Sequence, residues 1–257
     1  MERGTFFIIL YGMIAAAANL LGGLLISVRS IGHTTLRYLI AIGAGFMLAA
    51  VLLKIIPESI DLWNGKAAGP MIWLLAGYLL IQLFEHTVAP HFHFGEETHE
   101  EAMLAHHAAL AGVGALMIHT FFDGVSIAVG FLVSFQLGII IFVAIILHKL
   151  PEGFTVASMM LAAGGSRRRA RIAALLVGVV TFGGVALVLL FQELAVYSRP
   201  ISSYALPFSA GVTLYVAASD LIPEVNTREG GAKISFMVFA GVALFYAADK
   251  LLEQVAP

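Results

Sequence analysis

Apolar residues fill this chain in eight continuous stretches, near 5–28, 36–58, 70–88, 108–133, 137–162, 171–194, 203–224 and 233–253. Between them lie polar stretches containing Gly, Pro, Ser, Arg or Glu. An α-helix needs about 20 residues to cross the hydrocarbon core of a bilayer, and each stretch is of that order. No stretch alternates with period two, so a transmembrane barrel does not fit. The pattern predicts an all-α integral membrane protein of eight spans, a single transmembrane domain over 1–257. The first stretch is too long for a signal peptide, has almost no basic flank and lacks a small-residue cleavage site.

Composition agrees. Hydrophobic residues make up 60% of the 257 and charged residues 12%, about half the charged share of a soluble domain. The mean hydropathy is +0.95. These values exclude a cytosolic enzyme, a secreted domain and a disordered segment. The net charge of −2 gives no reason to expect nucleic acid as a partner, and the absence of cysteine removes thiolate metal sites. The basic residues also orient the chain. Odd-numbered loops carry Arg29, Arg37, Arg167, Arg168, Arg169, Arg171, Arg228 and Lys233, whereas the other side carries only Arg3, Lys66, Arg199 and Lys250. Odd loops are therefore expected in the cytoplasm and both termini outside.

Two internal repeats refine this picture. AGFMLAAVLLKIIPE at 44–58 aligns without gaps with AGVTLYVAASDLIPE at 210–224, an offset of 166. These lie in spans 2 and 7, which cross in opposite directions, as inverted-topology repeats do. LLAGYLLIQLFEH in span 3 and VFAGVALFYAADK in span 8 match more weakly. The second repeat pairs HTFFDGVSIA at 119–128 with HKLPEGFTVA at 148–157, in adjacent spans 4 and 5. The architecture expected is a 3+2+3 arrangement, two inverted three-helix halves around a central hairpin.

That hairpin carries the chemistry. His119 and Asp123 are four residues apart, as are His148 and Glu152, so each pair occupies one helix face. Counted from the turn near Phe135, the groups lie roughly 18–25 Å from one membrane face, near mid-bilayer. Two imidazoles and two carboxylates suit Zn²⁺, Fe²⁺, Mn²⁺ or Cd²⁺, and do not suit Cu⁺ or Ca²⁺. Packing hydrogen bonds are the bland explanation, but four ionisable groups in lipid are costly without a partner. Pro151 removes a hydrogen bond to the Leu147 carbonyl, which predicts a kink beside the site.

The chain here resembles the ZIP-type divalent metal transporters, of the prokaryotic kind. The resemblance covers all eight spans, and its strongest motifs are His-x-x-x-Asp-Gly at 119–124 and His-x-x-Pro-Glu-Gly at 148–153. It implies that His119, Asp123, His148 and Glu152 hold the transported metal, and that Met47 in span 2 can join them; a buried Met is as readily packing. It also implies an elevator-like motion, leaves room for a homodimer, and places the protein in a bacterial inner membrane. The sequence departs from the family where many members have Asn, Pro and an acidic residue; here stand Thr120, Phe122 and Lys149. In members with two adjoining metals, the Asn and acidic positions help to hold the second ion. An ammonium there repels a second cation, so a single metal is expected, with Lys149 bonded to Asp123 or Glu152 in the empty site.

Further candidates carry less weight. Lys54 and Asp220 correspond in the repeat; they form a buried pair or both reach the interface, and the interface is favoured. Glu58 and Glu224 end their helices and could line the metal's route. Ser126 and Thr155 are read as capping backbone carbonyls. The loop 89–107 is rich in His and Glu, and His91, His93, His99, His106 and His107 form an irregular, cytoplasmic tract that reads as a weak metal binder or a solvated loop. The function expected is inward transport of Zn²⁺, or of Fe²⁺, Mn²⁺ or Cd²⁺, by alternating access through one mid-membrane site, with no enzyme activity. A metal-selective channel and an intramembrane zinc hydrolase are the alternatives; the second lacks HExxH and Gly-x-Ser-x-Gly motifs. Because imidazoles must be neutral to bind, acid should release the ion.

Overall fold

The computed structural model describes residues 3–28, 33–88, 106–192, 195–196, 199–225 and 231–255. It is all-helical apart from a small antiparallel ribbon, β1 (Ala195–Val196) and β2 (Arg199–Pro200). The helices are α1 (Arg3–Val28), α2 (His33–Ala50, continuing to Asp61), α3 (Ala68–Val88), α4 (His106–Val133), α5 (Phe135–Ala162), α6 (Arg167–Phe191), α7 (Ser202–Tyr215, continuing to Val225) and α8 (Gly231–Val255). Seven of them are long and apolar enough to cross a membrane. The eighth, α7, carries an internal π-helical stretch.

A helix occupies every expected stretch, with ends that coincide with the expectation or differ from it by up to four residues. The largest shift is in α6, expected from 171. Ser166 accepts a hydrogen bond from the Arg169 backbone N–H at 3.3 Å and caps the helix, so Arg167, Arg168 and Arg169 form its first turn rather than a loop. His106 and His107 likewise fall in the first turn of α4. The rest of the His-rich tract, including His91, His93 and His99, lies outside the described residues.

α2 and α7 share an unusual local structure. Each widens into a π-helical turn, Val51–Ile55 in α2 and Val216–Leu221 in α7, just before Pro57 and Pro223. Proline has no N–H to give the preceding turn, which leaves a carbonyl without its donor. The residue ahead of each proline bonds five residues back instead: Ile56 N–H to the Val51 carbonyl, Ile222 N–H to the Ala217 carbonyl. The Ile-Pro-Glu ending of the repeat thus produces the same distortion twice.

α1, α4, α5 and α6 pack against one another as one group; α2 packs with α8 and α3 with α7, and these pairs meet each other where α2 crosses α7 and meet the first group along α2–α5 and α4–α7. Glycines set the closest approaches. In α2–α8, Gly45 faces the Val238 carbonyl and Gly241 faces the Ile42 carbonyl; in α3–α7, Gly77 faces Phe208 and Gly211 faces Leu74 in the same reciprocal way. These four glycines are the AG positions of the two sequence repeats, so the weak match between spans 3 and 8 reflects a real helix-packing role.

Candidate metal site

α4 and α5 are joined through a single non-helical residue, Ser134, whose side chain accepts from the Leu137 N–H at 3.1 Å. So tight a hairpin holds the two helices side by side and brings their motifs level. α5 continues helically through Pro151. The glycine after each acidic residue seats a neighbouring backbone. Gly124, after Asp123, faces the Thr181 carbonyl of α6, and Gly153, after Glu152, faces the Asn19 carbonyl of α1. A side chain at either position would push a supporting helix away from the acid.

His119, Asp123, His148 and Glu152 converge as the spacing predicts. One ligand atom from each lies within 4.8 Å of all the others, and none of the four residues is more than 6% exposed. His119 Nε2 stands 3.1 Å and His148 Nε2 3.3 Å from Asp123 Oδ2. The two imidazole rings meet at 5.6 Å. His148 Nδ1 is 3.1 Å from the Ala144 carbonyl. A carbonyl only accepts, so Nδ1 donates to it, and this bond turns Nε2 toward the cluster, as in a metal-binding histidine. Glu152 Oε1 has no hydrogen-bond partner among the described residues, and His119 Nε2 meets only Asp123. A buried polar atom left unpaired is costly, and His119, His148 and Glu152 line a space that a cation would enter.

Lys149 is fully buried within the same cluster. Its Nζ lies 2.7 Å from Asp123 Oδ2 and 2.8 Å from Glu152 Oε2, and it also donates to Thr120 Oγ1. Thr120 in turn meets Thr181 Oγ1 of α6 at 3.2 Å. Thr181 is the one member of this network that the sequence reading missed; its signal was a lone hydroxyl within an apolar run.

A cleft opens onto the cluster. His119, His148, Glu152 and Thr155 line it from α4 and α5, and Ile40 of α2 with Val216, Asp220 and Leu221 of α7 form its opposite wall. Asp220 is 4% exposed and its Oδ1 has no partner among the described residues. It lies close to Glu85 of α3 and within electrostatic range of His119.

The remaining candidates are placed elsewhere. Met47 is buried in an apolar cluster of α2, α5, α7 and α8, and does not line the cleft. Lys54 does not pair with Asp220: it pairs with Asp249 of α8 at 3.0 Å, and both side chains are partly exposed. Repeat equivalence put the two at corresponding places on helices that run oppositely, hence at opposite ends of the molecule. Asp220 itself is buried rather than interfacial. Ser126 donates to the Phe122 carbonyl at 2.8 Å, the capping role expected of it. Thr155 faces the cleft. Glu58 is half-buried in the last turns of α2, and the Glu224 side chain lies outside the described residues.

Comparison with known proteins bears on the same helices. A family model described as "ZIP Zinc transporter" matches residues 95–249, more than half of the chain and including both histidine motifs. "Zinc transporter ZIP9-B" of Xenopus laevis is 30% identical over 60% of this chain and 52% of its own. "Zinc transporter zipt-7.2" of Caenorhabditis elegans is 25% identical over 54% of this chain and 31% of its own. "Zinc transporter YKE4" of Saccharomyces cerevisiae is 23% identical over 74% and 61%. The chain spans about a third to a half of the length of the first two of these relatives. A buried His, Asp, His and Glu cluster on a helical hairpin, inside a multi-pass membrane bundle and inside the matched residues, makes this chain a member of the ZIP zinc transporter family, a family of transporters rather than enzymes.

Proposed function

We propose that this protein carries divalent metal ions, Zn²⁺ foremost, into the cytoplasm by alternating access through one site between α4 and α5. The observation that carries the reading is the convergence of His119, Asp123, His148 and Glu152 within 4.8 Å in a buried hairpin. Two neutral nitrogens and two carboxylates replace the hydration shell of a borderline cation. Fe²⁺, Mn²⁺ and Cd²⁺ fit the same donors.

The division of the helices supports a sliding, elevator-like cycle. All four ligands belong to the α1, α4, α5 and α6 group, and the opposite wall of the cleft belongs to α2 and α7. Movement of the first group along the second would carry the ion past that wall. The repeated π turns favour two pseudo-symmetric halves, α1–α3 and α6–α8, around the hairpin. With odd loops inside and both termini outside, Asp220 sits toward the cytoplasmic end of α7, so the cleft is on the release side. Lys149 holds the position that a second cation would need, so one ion is carried at a time.

Purified protein in liposomes tests this. Saturable uptake of Zn²⁺ or Cd²⁺ is expected, lost in His119→Ala and Glu152→Ala variants that still run as folded protein. Normal uptake in either variant overturns the site, and flux that rises linearly to high concentration replaces the carrier with a channel.

A further inference from the structure

Lys149 is a cation fixed where a cation is to be bound. All three of its ammonium protons are used, on Asp123, Glu152 and Thr120, and Thr181 stands behind Thr120. This socket lies behind the ligands as seen from the cleft, which is lined by His119, His148 and Glu152 but not by Lys149 or Asp123. Glu152 divides its carboxylate accordingly. Oε2 accepts from Lys149, while Oε1 has no partner among the described residues. An ion arriving through the cleft meets Oε1 and the imidazoles without having to displace the ammonium.

We propose that Lys149 is a resident counter-cation that evens the charge of the carrier between its empty and loaded states. This rests on the carrier function proposed above. With both carboxylates ionised and both imidazoles neutral, as metal binding requires, the ligands and Lys149 sum to −1 when empty and +1 with a divalent ion. Without the ammonium the sums are −2 and 0. The cost of holding charge in a low-dielectric interior grows as the square of that charge. Removing the lysine would therefore make the loaded site comfortable and the empty site four times as costly. A carrier must change state in both conditions, and the slower change sets its turnover. Lys149 weakens binding and in exchange lets the empty carrier return. A lysine that served only as a hydrogen-bonding strut would be replaceable by any side chain making the same bonds.

Three variants separate charge from strut: Lys149→Gln keeps hydrogen bonding without charge, Lys149→Met keeps neither, and Lys149→Arg keeps charge. Each is purified, checked for monodispersity, titrated with Cd²⁺, and assayed for Cd²⁺ uptake in liposomes. Lys149→Gln and Lys149→Met should bind Cd²⁺ at least about tenfold more tightly, as expected when a nearby like charge is removed. Their kcat for uptake should fall about as far, so KM and kcat drop together; Lys149→Arg should keep the wild-type balance. Wild-type affinity and turnover in Lys149→Gln would reduce the lysine to a strut, and weaker binding in Lys149→Gln would also overturn the proposal. Should the neutral variants not fold, the wild type still decides: one Cd²⁺ per chain is expected, and two would mean that the ammonium has left its place. Wild-type protein that neither binds nor transports Cd²⁺ sinks the carrier function itself, a result distinct from any of these.

Discussion

The two helix groups are built by the same packing device and put to different uses. Within α1, α4, α5 and α6, glycines at 124, 153 and 184 let backbones meet, and the interior so closed holds His119, Thr120, Asp123, His148, Lys149, Glu152 and Thr181. Within α2, α3, α7 and α8, glycines at 45, 77, 211 and 241 do the same, but the interior around Met47 and Phe46 is apolar. Between the groups the device is missing at the one glycine among the described residues that faces across: a methyl built on Gly43 would meet Leu147 of α5 only at an ordinary 3.6 Å. Glycine-mediated backbone contact therefore occurs inside each group, whereas α2 and α5 meet beside the cleft through ordinary side-chain packing at Gly43. The buried His and acid cluster belongs to one group and the opposite wall of the cleft to the other, which is the division that the proposed sliding cycle rests on.

The sharpest way to break this contrast is to damage each side in turn. Replacing a ligand, by Glu152→Ala or His119→Ala, should lower Zn²⁺ uptake in liposomes by more than about a hundredfold, beyond the loss typical of groups that merely support ligands. Asp220→Asn, on the opposite wall, should slow uptake several-fold and leave equilibrium Cd²⁺ binding near wild type. Equal loss of binding in Asp220→Asn would make the wall part of the site and erase the distinction.

The packing difference predicts a gap between two nearby residues of α2. Gly45→Ala puts a methyl into the Val238 carbonyl and should cost about 1–3 kcal/mol, read as a lowered thermal midpoint in detergent. Gly43→Ala should stay within about 0.5 kcal/mol of wild type; an equal loss at both would show that the boundary is as tight as the interiors. Smallest of all, Lys54→Met removes the largely buried pair with Asp249, whose side chains are 17% and 16% exposed. It should cost about 1 kcal/mol or less and leave uptake near wild type. A large loss of uptake would instead make that pair part of the cycle.

Much of this was readable in the chain. The His and acid spacing on spans 4 and 5 fixes each pair on one helix face, and the short turn between the spans sets them level, so the convergence of His119, Asp123, His148 and Glu152 was legible before any packing was known. The departure at Lys149 was equally readable, because an ammonium among carboxylates has few options but to bond them. The partner of Lys54 was not readable. Its repeat counterpart Asp220 drew attention, whereas the residue that meets it, Asp249, lies in the weakly matching stretch of span 8. The N-terminal start of α6 was hidden for a different reason: three arginines look like a loop, and only the Ser166 cap makes them a helical turn. Likewise, nothing in an apolar run singles out Thr181 as the residue behind Thr120.

Two kinds of information are thus separated by their physical origin. The amino-acid sequence by itself determined the all-helical, membrane-spanning character, the internal repeats and the His and acid spacing of the site, because these follow from hydrophobic length and the period of an α-helix. Only the tertiary structure decided which faces meet, where the cleft opens, and that Met47 lies in packing while Asp220 lines the cleft. Lipid is as apolar as a leucine side chain, so hydrophobicity does not distinguish a membrane helix's buried face from its lipid face. That choice is made by backbones approaching over small residues, and it becomes visible only when both helices are in place.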